Sequence, residues 1–227
     1  MTNIKLSKRL KTIADKVDKN SVIADIGCDH ALLDIYLSQN KIIKKAVACD
    51  ITPGVLTVAL KNISLSNVSN VDIRIGNGLD PIKEEDNIDT LILSGLGNKT
   101  IINILNNNIN KLANIKNIII QSNTGFSSIR KEINKLGYKI VDETLVKEKG
   151  IIYVVIKFIK SKVKYSKKEL YFGPILLNNK DELFNELLLN KINKYSLILK
   201  KLPNKKIIKK LKIILKIRVL KKEIRKI

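Results

Sequence analysis

In VIADIGCDHALLDIYL, residues 22–37, two of the three acidic residues and the chain's one histidine crowd around a single glycine: Asp25, Gly27, Asp29 and His30. An apolar run enters the stretch and a helical pattern leaves it, so the segment reads as strand, turn and helix start. A glycine at such a turn lets backbone approach a ligand, and an acidic residue about 20 positions further on can accept both hydroxyls of a ribose. Asp50, with Ile51 beside it, ends AVACDI and stands 23 residues after Gly27. The pattern points to a bound nucleoside.

Charge decides which nucleoside fits. A pyrophosphate needs further glycines and a helix N-terminus free of negative charge. Here Asp29, His30 and Ala31 occupy those places, and Asp29 would repel a phosphate. S-adenosylmethionine has no phosphate, carries a sulfonium and an ammonium, and gains from Asp25 or Asp29 nearby. The turn therefore suits this cofactor better than a dinucleotide, and an NAD-dependent enzyme is disfavoured. Read as an ordinary strand-to-helix turn, the same residues leave Asp29 as a helix cap and His30 as a satisfied surface or core histidine. Gly76-Asn77-Gly78 and Ser94-Gly95-Leu96-Gly97 offer close backbone approach after two later strands, or plain glycine turns.

These residues need a scaffold to bring them together. Short apolar runs at 22–26, 46–51, 71–75, 88–93 and 117–121 alternate with helical stretches at about 31–39, 53–63, 98–112 and 126–136. Pro53 begins the second of these, with Thr52 as its cap, and Gly137 closes the last. Five strands so separated predict a parallel sheet covered on both faces. Residues 139–146 and 151–159 are joined by only KEKG, too short for a parallel crossover. A seven-stranded sheet ending in an antiparallel hairpin is the Rossmann-like variant used by class I methyltransferases, an analogy of fold. Residues 4–18 form an amphipathic opening helix. Two long helical patterns at about 178–202 and 204–227, broken at Pro203 and Asn204, predict an antiparallel hairpin in which Leu183, Leu187, Leu188, Ile192, Tyr195 and Leu199 face Ile207, Leu211, Ile214 and Leu215. The expected division is a cofactor-binding domain over 1–160 and a basic, coiled-coil-like helical domain over 161–227.

The chain of 227 residues is 44% hydrophobic and carries a net charge of +22, which draws polyanions. Residues 161–227 hold 20 basic and 5 acidic residues, and the first 160 hold 23 and 16. Compositional bias alone would not produce that asymmetry, so nucleic-acid contact is expected through the last third. With 4% aromatic residues, broad base-stacking platforms are disfavoured. No apolar run approaches the ~20 residues of a membrane span, and the opening MTNIKLSKRL is amphipathic, so a cytoplasmic protein is expected. Cys28 and Cys49 lack metal-ligand spacing and are expected reduced and buried, with no metal bound.

KLSKRL at 5–10, ADIGCDHA at 24–31, GNGL at 76–79, SGLGN at 94–98, QSN at 121–123 and GP at 173–174, with the basic hairpin behind them, closely resemble the bacterial tRNA (adenine-22-N1)-methyltransferase family. The resemblance implies a class I methyltransferase domain, a coiled-coil-like C-terminal domain, S-adenosylmethionine as cofactor and methylation of an adenine N1 in the D-arm region of tRNA. The family favours GDGL, AGMGG and QPN where this chain has Asn77, Ser94 to Asn98 and Ser122. An Asn amide oxygen at 77 can still accept from an adenine amino group, whereas the change at 122 alters the target-base loop.

Arg9, Asp25, Gly27, His30, Asp50, Ile51, Gly76, Asn77, Gly78, Ser94 and Gly95 are therefore the expected cofactor contacts. Asp29 is the catalytic candidate: adenine N1 has a free in-plane lone pair, so the reaction asks for alignment and for a carboxylate near the developing positive charge, not for a general base. Ser94 and Asn123 end the fourth and fifth strands, where they could hold the base edge or merely cap loops. Lys5, Lys8, Lys209, Lys210, Lys216 and Arg218 are expected on tRNA phosphates, and a monomer is expected. Two alternatives stand beside this reading: a methyltransferase for another RNA or a protein, and a nonenzymatic RNA-binding protein that kept the fold.

Overall fold

The computed structural model describes residues 4–203 and 205–224. Seven strands form one sheet: β1 (Ser21–Ile26), β2 (Ile43–Asp50), β3 (Val71–Ile75), β4 (Thr90–Leu96), β5 (Asn117–Ser122), β6 (Tyr138–Glu148) and β7 (Ile151–Lys160). The order is β3-β2-β1-β4-β5-β7-β6, and only β7 runs antiparallel to both its neighbours. The central strands are apolar almost throughout because helices cover both faces: Ile23, Ala24, Val47, Leu91, Ile92, Ile119 and Ile156 are all at most 1% exposed. The expected antiparallel hairpin is present, but β6 runs on through Lys147 and Glu148, so the turn is Lys149 and Gly150 alone, both at positive φ.

The covering helices are α1 (Lys8–Ala14), α2 (Leu32–Gln39), α3 (Pro53–Ser66), α4 (Asn98–Asn107) and α5 (Phe126–Lys135). Helix α1 is shorter than the 4–18 expected. Ser7 caps it by accepting from the Leu10 N–H, and it ends at Asp15, because residues 16–20 must turn into β1. The stretch expected as one helix over 98–112 breaks at Asn108 and finishes as a 3-10 turn, Ile109–Leu112. Thr52 stands at the N-cap of α3 without a side-chain cap bond.

The chain divides into two compact units after Gly173, not after residue 160. The segment 161–173 is polar enough to resemble the C-terminal part, yet it is fastened to the sheet unit. The Tyr165 hydroxyl accepts from the Ile140 N–H at 2.9 Å. Helix α6 (Lys167–Phe172), started by a capping box at Ser166 and Glu169, offers the Leu170 and Tyr171 carbonyls to Arg130, which pairs with Glu143 at 2.6 Å in full burial.

The second unit contains α7 (Pro174–Asn179), α8 (Glu182–Lys201) and α9 (Ile207–Glu223). Helices α8 and α9 pack as an antiparallel hairpin, with Lys180 before α8 paired to Glu223 at the end of α9 at 3.0 Å. The expected facing residues need correction. Ile207, Leu211 and Leu215 are more than half exposed, while Ile213 and Leu220 are buried. Apolar residues surround α9, so its sequence period does not select one face. Asn204 and residues 225–227, part of the last expected helix, lie outside the described residues.

Candidate active site

The strand order reverses between β1 and β4, and their carboxyl ends open a cavity of about 310 Å³. Open α/β sheets bind ligands at this switch point. Its wall comes from Arg9 and Leu10 of α1, the β1–α2 turn, Asp50 at the end of β2, and Ser94 to Leu96 at the end of β4.

The turn that raised the question of the missing glycines has left-handed backbone at every second residue: Gly27 (φ 77°), Asp29 (φ 53°) and Ala31 (φ 56°). Gly27 and Cys28 donate their N–H groups to the Cys49 carbonyl at 2.8 and 3.0 Å, which ties the turn to β2. A Cβ on Gly27 would lie 3.2 Å from Leu96 Cδ2. Ala31 is the N-cap of α2 and makes no side-chain cap bond, so Asp29 is not the helix cap. The Asp29 side chain is 74% exposed at the cavity wall, its Oδ1 3.6 Å from His30 Nε2. Left-handed non-glycine residues cost roughly 1–2 kcal/mol each, and such strain collects at functional sites.

Three carboxyl groups converge on the cavity. Asp25 is 3% exposed. Burial above all pushes its carboxyl up to about 7; Asp50 and Asp29 push the same way, and Asp34 and Arg9 oppose them. Asp50 accepts the Thr52 N–H at 2.9 Å, which orients its carboxylate at the strand end. Cys28 and Cys49 are free and buried, and burial pushes both thiols up, Cys49 to about 12.

Arg9 closes the opposite wall. Its Nη1 donates to Ser94 Oγ at 3.0 Å and to Gln121 Oε1 at 2.7 Å, and its guanidinium lies over the Tyr153 ring. Its backbone N–H donates to Glu148 at 2.8 Å, so the β6–β7 hairpin holds α1 in place. The β4–β5 register shifts between Ser94 and Leu96, and Gly95 (φ 75°) turns its N–H to Gln121 Oε1 at 3.1 Å. Such a bulge re-aims the residues beside it.

The structure thus brings Arg9, Asp25, Gly27, Asp29, His30, Asp50, Ser94 and Gly95 to one cavity. Ile51 adjoins it, 65% exposed. Gly76, Asn77 and Gly78 do not line it. Gly76 donates to the Asp50 carbonyl at 3.1 Å and is crowded by Pro81, while Asn77 and Gly78 line a neighbouring hollow against α4. Asn123 stands one bond behind, donating to the Gly95 carbonyl at 3.3 Å. Lys5, Lys8, Lys209, Lys216 and Arg218 are exposed and Lys210 is half-buried. Two residues escaped the sequence reading. Gln121, fully buried, had as its signal only its place in QSN; Asp34, also fully buried, had a lone charge in LLDIYL. Among the described residues, no group of three or more His, Cys, Asp or Glu could hold a metal, and no helix is long and apolar enough to cross a membrane.

Residues 23–224 match the model of the family described as tRNA (adenine(22)-N(1))-methyltransferase, TrmK. The chain is 35% identical over 157 residues to the tRNA (adenine(22)-N(1))-methyltransferase of Bacillus subtilis, covering 69% of this chain and 66% of that one, just under two thirds. It superimposes on M. capricolum TrmK in complex with S-adenosyl-homocysteine with a TM-score of 0.88 at 35% identity, over 97% of this chain and 99% of the other. It is similarly close to Streptococcus pneumoniae Sp1610 in complex with S-adenosyl-L-methionine, with a TM-score of 0.91 at 27% identity over 97% and 100%.

Proposed function

The chain belongs to the tRNA (adenine(22)-N(1))-methyltransferase family, and we propose that it methylates N1 of adenine 22, in the D-arm region of tRNA, using S-adenosylmethionine. One observation carries the reading: a cavity at the switch point of the sheet, lined by Asp25, Asp29 and Asp50 around a glycine turn. This donor set suits a cationic nucleoside and would repel a dinucleotide's phosphates.

When bound, S-adenosylmethionine supplies an electrophilic methyl group on a sulfonium. Asp50 would accept from the ribose hydroxyls, and Ile51 would cover the nucleoside. Asp25 would hold the positive methionine end, with Gly27 leaving room for it. Arg9, Ser94 and Gly95 would wall the site and exclude water, and His30 would fill the turn. The 76–78 turn is tied to the end of β2 through the Asp50 carbonyl, and Asn77, in the neighbouring hollow, would meet the adenine edge where the nucleoside extends past the cavity.

Adenine N1 needs no proton removed before it reacts, so no residue need act as general base. Asp29 would stabilise the positive charge that develops on the base. N1 lies on the Watson–Crick edge, so the target adenine must be unpaired or extruded; Asn123 would hold its edge. Lys5 and Lys8 at the start of the chain's first helix, and Lys209, Lys210, Lys216 and Arg218 on α9, would track tRNA phosphates, reading shape more than sequence. We place the protein in the cytoplasm as a monomer.

Labelled S-adenosylmethionine offered with an unmodified tRNA transcript carrying adenine at position 22, and with the same transcript carrying guanine there, tests the reading. Label on the adenine transcript alone is expected. Cofactor binding without label on either would move the acceptor to another RNA or to protein, and absence of cofactor binding would leave an RNA-binding protein.

A further inference from the structure

Asp34 lies in the first turn of α2, wholly buried, among Leu33, Ile35 and Leu37, which are buried with it. With both groups ionised, neither Asp34 oxygen finds a hydrogen-bond donor, and Asp25 Oδ1 is buried in the same condition. The two side chains lie within hydrogen-bonding range of each other. As two carboxylates they would face lone pair to lone pair in a dry interior. A single proton between them joins one Asp34 oxygen to Asp25 and removes one buried charge.

The surroundings decide which partner holds that proton. Asp25 lines the cavity and feels Arg9 from α1 as well as Asp50 from β2 and Asp29 from the turn; the Cys28 and Cys49 thiols stay neutral. Among the described residues no cation acts on Asp34, and its carboxyl is pushed well above the usual range by burial first and by Asp25 second.

We propose that Asp34 stays protonated and donates a hydrogen bond to Asp25, keeping the Asp25 carboxylate charged and oriented toward the cofactor cavity. Asp34 is thus a positioning residue. The proposal rests on the assignment of that cavity to S-adenosylmethionine. Without the donor, Asp25 would hold its own proton more tightly, and a cationic ligand would have to displace it.

The test is the affinity of the full chain for S-adenosylmethionine by titration calorimetry, from about pH 6 to pH 8.5, together with the infrared spectrum of the cofactor-free protein. Wild-type affinity should fall about tenfold per pH unit below about 7, as Asp25 takes up its proton. Asp34→Asn, whose amide still donates, should keep that midpoint. Asp34→Leu, of similar size and without a donor, should move the midpoint up by about one unit and weaken binding about fivefold at pH 7 and about tenfold at pH 6. At pH 8 the wild type should show a protonated-carboxyl stretch that Asp34→Asn lacks.

Wild-type affinity and midpoint in Asp34→Leu, or no protonated-carboxyl band in the wild type, overturns the proposal. If Asp34→Leu does not fold, Asp34→Asn and the infrared band decide. The band present in the wild type, with no cofactor bound by any variant, would support the shared proton and overturn the cofactor assignment, so the two failures are distinguishable.

Discussion

Arg9 donates to Gln121 Oε1 at 2.7 Å across 112 residues of sequence, and this bond closes the chain's first helix over the end of its fifth strand. A charged donor on a buried acceptor contributes about 1.5–3 kcal/mol. Arg9→Ala should lower stability by about 2 kcal/mol in denaturant unfolding and weaken S-adenosylmethionine binding at least tenfold. Arg9→Lys, with a point charge in place of a planar fork, should recover only part of both. Unchanged affinity in Arg9→Ala would remove it from the site.

Gly27 has φ 77° and faces Leu96 Cδ2. Gly27→Ala should cost about 1–2 kcal/mol from backbone strain, with a further penalty from crowding against Leu96. Thermal unfolding of Gly27→Ala/Leu96→Ala, set against each single variant, separates the two, since trimming Leu96 relieves the crowding and leaves the strain.

Asp29 also stands at positive φ, where Asn is tolerated as well as Asp. Asp29→Asn removes the charge while leaving the backbone at ease. Single-turnover methyl transfer should fall about 100-fold or more, with S-adenosylmethionine affinity within about threefold of wild type and stability within about 0.5 kcal/mol. Near-normal turnover would show that its charge is not used.

Lys209, Lys212 and Arg218 are exposed on α9. Changing all three to Gln should reduce the slope of log K against log salt for tRNA by about 0.7–0.9 for each phosphate no longer neutralised, and leave S-adenosylmethionine affinity unchanged. An unaltered slope would make these residues a solvated face.

Asp86 is buried beside Arg74, with two bonds of 2.6 and 2.7 Å, and its carboxyl is held down to about 2, first by the Arg74 hydrogen bonds. Because the folded value lies below the unfolded one, the contribution is present above pH about 4 and is lost as pH falls toward about 2. It amounts to about 2 kcal/mol. Asp86→Asn should destabilise the protein at pH 7 and flatten its acid-unfolding limb over that window, followed by circular dichroism.

Most of this architecture could be read from the sequence because its signals are local. Alternation of apolar runs with helical periods located all seven strands, and the four residues of KEKG were enough to force β6 and β7 antiparallel. Helix ends were read less well: Asn108 stops α4 inside a pattern that continues to Leu112. The boundary after residue 160 was misplaced for a different reason. Segment 161–173 looks like a polar linker, and composition does not encode its attachment to Arg130 and Ile140.

At the site, Asp25, Gly27, Asp29 and Asp50 were legible because turn chemistry and the spacing to the next strand end act over short distances. Gln121 and Asp34 were not. A polar residue in an apolar run has no sign of its own: its meaning depends on what the fold sets against it. By itself the sequence determined the sheet, the glycine turn and the family. Only the tertiary structure decided that Arg9 meets Gln121 and that Asp34 meets Asp25, because each is a pairing of buried polar groups, and burial is a property of the packed chain.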